Sequence, residues 1–363
     1  MTNTLRRTEP ATRRSVLRGA AAAAAVPAAA GLLGTTMAGT AGAAEREALP
    51  DFAPVPASAL GPAMNAQGYH VGKIQGNLYW VTDSFYTSMF LTTRKGVVLV
   101  DAPPTIGRNL LRAIGEVTKA NGRPSKVTHL VYSHSHADHI GASAILGPDV
   151  VRIGHEETRA LLKYQSDPNR PVPKETFRDR YVLEVGGETL KLAYHGPNHS
   201  PDNIYVYAPE YKTLLLVDVF YPGWVPFENL AMSESIPAWV DAHDVAMNYR
   251  WQTLVGGHLG RLGTRADAYL QKRYISDLDA SVRTALATVD PTPYMTKYGP
   301  SGNAWAIFKT YLDAVAREAA EPVSDKYTGI LAGADVYTLG HAATLMESHR
   351  INGGILGPFG TRP

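Results

Sequence analysis

The stretch VTHLVYSHSHADHIGASAILG, residues 127–147, begins as an apolar, β-branched run and then packs three histidines and an aspartate into six positions, His134 to His139. The apolar run reads as a buried strand, and GASAILG at 141–147 reads as the opening of a helix. The cluster therefore sits on a strand-to-helix loop, where α/β architectures commonly place their reactive groups. Alternate residues of an extended turn point the same way, so His134 and His136 can grip one ion while Asp138 and His139 turn toward a second. Zinc takes about four ligands, and a catalytic site keeps one position for water. The remaining ligands must come from elsewhere in the chain.

Three other strand ends offer them. His199 lies in HGPNHSPDN (195–203), a Gly/Pro-rich turn after an apolar strand; Asp218 ends TLLLVD (213–218); His258 ends LVGGH (254–258), where two glycines allow close backbone approach. The chain has no cysteine, so any metal must be held by nitrogen and oxygen, and thiol nucleophiles are excluded.

Working outward, GNLYWVTD, SMFLTT and GVVLVDAPP read as strands, and NLLRAIGEVTKANG as a helix with a glycine stop. ETLKLAYHG and NIYVYAPEYKTLLLVD read as three further strands, the last two joined by a Pro-Glu-Tyr-Lys turn, and WQTLVGGHLG as another. After Arg261 the periodicity becomes helical for about 100 residues. Residues 44–68, rich in Pro and Ala, read as an arm or linker without core.

The N-terminus reads as an address. Arg13 and Arg14 precede an alanine-rich apolar stretch and small residues, the pattern of a twin-arginine export signal over 1–43 with cleavage near Ala43. The expected location is periplasmic or extracellular, with no stable membrane span after cleavage. The formal charge of +2 owes much to this segment, which carries five arginines and one glutamate. The rest has 30 basic and 32 acidic residues and no dense Lys/Arg run, which argues against nucleic acid as a partner.

With the H-x-H-x-D-H loop and the three strand-end residues in order over roughly 70–262, the sequence resembles a metallo-β-lactamase-fold hydrolase. The resemblance implies a four-layer αββα sandwich over 69–262, followed by a helical C-terminal extension over 263–363. It also implies two zinc ions per chain, with iron or manganese as substitutes. His134, His136 and His199 would hold one; Asp138, His139 and His258 the other; Asp218 would bridge them. Asp101, at the end of VVLVD, would orient a ligand histidine from behind. The implied chemistry is attack by a metal-bridging hydroxide, with Asp138 orienting the nucleophile and carrying its proton.

The absence of a cysteine at the fourth motif and the presence of His139 resemble the glyoxalase, lactonase and phosphodiesterase branches; the GPNHSPDN turn resembles some zinc β-lactamases. Tyr221 stands three residues after Asp218, the spacing at which lactonases of this fold carry a tyrosine that steadies the substrate carbonyl, although plain packing also accounts for it. The expected substrate is a small molecule, a lactone or other ester first and a β-lactam second. A mononuclear iron sulfur dioxygenase-like enzyme and a non-catalytic accessory protein are the other readings. His195 competes with His199 as a ligand, and the remaining histidines read as packing or surface residues. Asp202 and Asn203 read as turn-fixing. Trp224, Phe227, Trp239 and Tyr249 are candidates for an apolar pocket, with structural packing the commoner reading for any one of them. The helical tail reads as packing on the sandwich, narrowing the entrance or forming a homodimer face, core packing being the commonest role of such segments.

Overall fold

Period-two alternation builds the first layer. In GVVLV, Val98 and Val100 face one way and Val97 and Leu99 the other, yet all four are buried, so the strand must be covered on both sides. A computed structural model, describing residues 49–359, shows how. In chain order the first half comprises β1 (His70–Gln75), β2 (Leu78–Thr82), β3 (Thr87–Thr93), β4 (Gly96–Val100), α1 (Asn109–Asn121), β5 (Val127–Val131), α2 (Ala137–Ile140), β6 (Val151–His155), α3 (Glu156–Gln165) and β7 (Glu175–Phe177). Its seven strands form one sheet in sequence order, antiparallel from β1 to β4 and parallel from β4 to β7.

The second sheet runs β12-β11-β10-β9-β8, from β8 (Arg180–Val185), β9 (Glu188–Ala193), β10 (Tyr205–Ala208), β11 (Thr213–Leu215) and β12 (Thr253–Val255). Between the sheets, Met89, Val98, Val100 and Val131 pack with Leu183, Leu190, Val206 and Leu215. Outside the first sheet, Val97, Leu99 and Leu130 pack with Leu110 and Ile114 of α1. Each such side chain contributes about 1.5–3 kcal/mol by leaving water.

The outer face of the second sheet carries the third core. Beyond β11 come α4 (Glu228–Met232) and α5 (Ile236–Met247); beyond β12 come α6 (Arg265–Thr288), α7 (Thr292–Tyr298), α8 (Ala304–Tyr327) and α9 (Ala334–Ile351). Tyr205, Leu214 and Leu216 pack with Trp239, Tyr274 and Leu278, so the C-terminal helices share a core with the sandwich. α6 opens on a capping box in which Thr264 and Asp267 satisfy each other's backbone N–H groups. Among the described residues no helix is long and apolar enough to cross a membrane.

Three sequence expectations are corrected. The helix expected from Gly141 begins at Ala137 and lasts one turn, followed by a 3-10 turn at Ser143–Leu146, so Asp138 and His139 are helical rather than loop residues. The arm is not without buried residues: Ala59 is buried, and its carbonyl accepts from Trp224 Nε1 at 3.3 Å. Strands β6 to β8 and helices α3, α4, α5 and α7 also stand in stretches where the sequence reading gives no element. The export signal and residues 44–48 of the arm lie outside the described residues.

α4 has an unusual backbone. Asn229, Leu230, Ala231 and Met232 all have positive φ, between 51° and 61°, forming a left-handed turn. Such residues cost about 1–2 kcal/mol each. The turn is held from outside: Leu230 is buried, the Phe227 carbonyl accepts from His341 Nε2 of α9, and Asn229 Oδ1 lies against Gly340.

Candidate metal centre

Five strands end at one edge of the sandwich. β4 delivers Asp101, β5 delivers His134 and His136, β9 leads to His199, β11 to Asp218 and β12 to His258. The two glycines before His258 have a steric reason: a Cβ at Gly256 would fall 2.2 Å from the Phe220 carbonyl oxygen, and one at Gly257 2.6 Å from Val217 Cγ1. Asp101 and Asp218 both adopt left-handed backbone, at φ 63° and 61°, which turns each side chain out of its strand direction.

The predicted residues come together in two groups, His134, His136, His199 and Asp218 in one, and Asp138, His139 and His258 in the other. Asp218 stands between them. Its Oδ2 is 3.4 Å from His134 Nε2, 3.2 Å from His199 Nε2 and 3.1 Å from His139 Nε2, while its Oδ1 is 2.7 Å from His258 Nε2. His199 Nε2 faces His136 Nδ1 at 3.1 Å, and His139 Nε2 faces His258 Nε2 at 3.1 Å.

This arrangement fits metal. Two donors each about 2 Å from one tetrahedral ion are separated by roughly 3.3 Å, the spacing these nitrogens and oxygens show. His134 Nε2 is buried and has no hydrogen-bond partner. Imidazole lone pairs gathered around one carboxylate, with too few protons to pair them, call for a cation.

The electrostatics follow the same geometry. Burial opposes ionisation of Asp218, yet His199, His139 and His258 hold its carboxyl well below the usual range. Burial and the neighbouring imidazoles hold His134 well below its usual value, and burial lowers His199. His139 is also penalised by burial, but Asp218, Asp138 and Asp101 raise it to about 9.

Supporting residues lock the candidate ligands. Asp101 is fully buried; burial raises its carboxyl to about 6, and its Oδ1 accepts the Ser133 N–H beside His134 at 2.8 Å. Asn203 Nδ2 donates to Asn198 Oδ1 and to the Val217 carbonyl, tying the His199 turn to the strand end before Asp218. Asp202 accepts from Ser200. Tyr221 lines the cleft, donates to Asp218 Oδ1 at 3.0 Å and stacks on His258.

The cleft over these groups has a volume of about 670 Å³. Phe227 lies in its wall as expected, but Trp239, Tyr249 and Trp224 do not. Trp239 is buried under the site, where its Nε1 donates to the Asp218 carbonyl at 2.8 Å. His195 is outside the centre, bonded to Tyr249. Sequence reasoning missed Phe85, Tyr86 and Met232. Tyr86 pairs with His258 as an isolated bridge, and its ring lies 4.8 Å from that of His258. Only the DSFY turn before β3 hinted at it.

Comparison with known proteins bears on this edge of the sandwich. The family model for the Metallo-beta-lactamase superfamily matches residues 81–282. The 2,4-dinitroanisole O-demethylase subunit alpha of Nocardioides sp. (strain JS1661) is 27% identical over 217 residues, which cover 58% of this chain and 62% of that protein. A metallo-beta-lactamase type 2 of Elizabethkingia meningoseptica is 27% identical over 157 residues, covering 40% of this chain and 59% of that protein. The matched regions thus span less than two thirds of these curated relatives. Among solved structures, a metallo-beta-lactamase from Pontibacter korlensis is 22% identical, with a TM-score of 0.47 over 56% of this chain and 97% of that one.

Proposed function

Because the chain belongs to the metallo-beta-lactamase superfamily, we propose that its seven converging side chains hold two divalent ions, zinc in the first place, and that it hydrolyses a small-molecule lactone or other ester. The observation that carries this reading is Asp218, whose two oxygens reach histidines of both groups. Two ions bound there would supply Lewis acidity and an activated water near neutral pH.

The chain's own residues do the rest. Asp138 is the most accessible ligand carboxylate, its side chain 42% exposed, so it can orient a water in the cleft and carry a proton to the leaving group. Burial, followed by Asp218, holds the Tyr221 phenol well above its usual value, so it stays protonated. Its single O–H is donated to Asp218 Oδ1 in this structure, and its place in the cleft wall lets it turn to a substrate oxygen only by leaving that carboxylate. Phe85, Tyr86 and Phe227 give the wall its aromatic character, and no Lys or Arg lines it among the described residues. Away from the ions the wall therefore offers no side-chain cation to a remote substrate carboxylate, which suits an uncharged lactone or ester.

A second reading takes its substrate from the Nocardioides relative, named for O-demethylation of 2,4-dinitroanisole. The same aromatic wall suits an aryl ether, because Phe85, Tyr86 and Phe227 offer ring surface to an aromatic substrate. Twin-arginine export is part of the proposal and is checked by fractionating cells that express the full chain.

Proton release from a panel of lactones, measured with zinc-loaded protein beside a His134→Ala control, tests the main reading. Acid formation that disappears in the control supports it. Silence on lactones and simple esters, with both metals bound, sinks it; methanol release from an aryl methyl ether would then favour the second.

A further inference from the structure

The outer face of the second sheet is covered unevenly. Helices α5 and α6 seal its centre, where Tyr205 and Leu214 pack beneath Trp239 and Tyr274. Toward the edge formed by β8 the cover stops. A second cleft of about 640 Å³ lies there, between β8, β9 and β10 and the residues that follow α5, and it shares no lining residue with the metal centre.

Its chemistry differs from that of the first cleft. Tyr207, Tyr249 and Val182 give it flat apolar surface, and Arg180, Lys191 and Arg250 stand around it without an Asp or Glu in the lining. None of these three cations forms an ion pair among the described residues, although ion pairs occupy many other cations of this chain. Tyr249 is held firmly: its ring stacks on Tyr205 at 5.8 Å and 8°, meets Tyr207 edge-on at 5.4 Å, and its hydroxyl bonds His195 Nε2 at 2.7 Å. Three like charges around one cleft, beside a fixed aromatic platform, leave it without a counter-charge of its own, and guanidinium groups match a carboxylate or sulfonate in shape as well as charge.

We propose that this cleft is a binding site for a small aromatic anion, with the ring on Tyr249 and Tyr207 and the acidic group among Arg180, Lys191 and Arg250. Its volume suits a one- or two-ring molecule. Three cations on a body of nearly balanced charge are too few for a nucleic-acid track.

Isothermal titration of the zinc-loaded protein with 2-naphthoate, and with neutral 2-naphthamide, tests the site. The expected result is saturable binding of 2-naphthoate, at least about 10-fold tighter than the amide, as a lost charge-assisted contact implies. An Arg180→Ala/Arg250→Ala protein should bind 2-naphthoate at least about 10-fold more weakly with its melting temperature unchanged, and Lys191→Glu should weaken it as well. Equal binding of acid and amide would overturn the proposal, as would 2-naphthoate binding that survives the double substitution, which places the anion at the metal centre. A change from dimer to monomer in sedimentation on the double substitution, without 2-naphthoate binding to the parent, would instead make this face a contact between copies.

Discussion

Two sets of histidines in this molecule are equally buried and chemically opposite. His134, His139 and His199 are 0–5% exposed, and so are His243 and His341 in the helical half. In the helical half the protein satisfies each ring. His341 Nε2 donates to the Phe227 carbonyl, leaving Nδ1 to accept from the Tyr274 hydroxyl at 2.7 Å; His243 Nδ1 reaches the Trp239 carbonyl and its Nε2 faces Gln271. At the metal centre the rings turn their nitrogens toward each other and toward one carboxylate. Burial alone therefore does not distinguish a candidate ligand histidine from a packing one. What distinguishes them is whether the lone pairs already have protein donors.

His134→Ala strikes the contrast hardest. Metal affinity should fall beyond the roughly 10- to 100-fold that losing a group behind a ligand costs, and hydrolysis with it. Metal content by mass spectrometry after gel filtration reads this directly; two retained ions would mean that His134 belongs with the packing histidines. Asp138→Ala comes next, with turnover expected to fall about 10²- to 10⁴-fold at nearly unchanged melting temperature. A full rate with both metals bound would remove Asp138 from the chemistry.

The packing histidines make an opposite prediction. Burial lowers both His243 and His341 to about 4, so below about pH 6.5 the unfolded chain takes up protons that the folded chain refuses. Stability should decline as pH falls from about 6.5 to about 4 and level off below, with about 2 kcal/mol lost per residue by pH 5. Denaturant titrations at pH 7 and pH 5 on the parent and on His341→Gln isolate one residue's share. Equal slopes in the two proteins would show that His341 takes up its proton at the same pH folded as unfolded, so that burial does not lower it. Tyr221→Phe, which removes one donor from Asp218 and leaves the metals in place, should cost about 10-fold in turnover. An unchanged turnover would reduce Tyr221 to packing.

Legibility followed the range of the forces involved. The strands were readable because uninterrupted apolar runs such as GVVLV and the one before His134 are local signals, whereas the sandwich followed only from the resemblance carried by the H-x-H-x-D-H loop. The strand-end positions of His199, Asp218 and His258 were readable because each apolar run stops at a polar side chain. Tyr86 was not, since only the pairing of its loop with His258 brings it to the cleft. Trp239 packs, the commoner of its two readings, but its sequence neighbourhood does not reveal that its N–H faces a carbonyl under Asp218. The left-handed turn was invisible for the strongest reason: Leu, Ala and Met are good right-handed helix formers, and tertiary contacts, those with α9 among them, overrule them.

That turn has an evolutionary corollary. Ala231 and Met232 form part of the cleft wall, yet the backbone that presents them is kept in place by a helix more than 100 residues later in the chain. A Cβ at Gly340 would already press on Asn229 at 3.2 Å. Variation along α9 can therefore reshape which molecules enter while every candidate metal ligand stays untouched, so that selectivity can drift without the chemistry being rewritten.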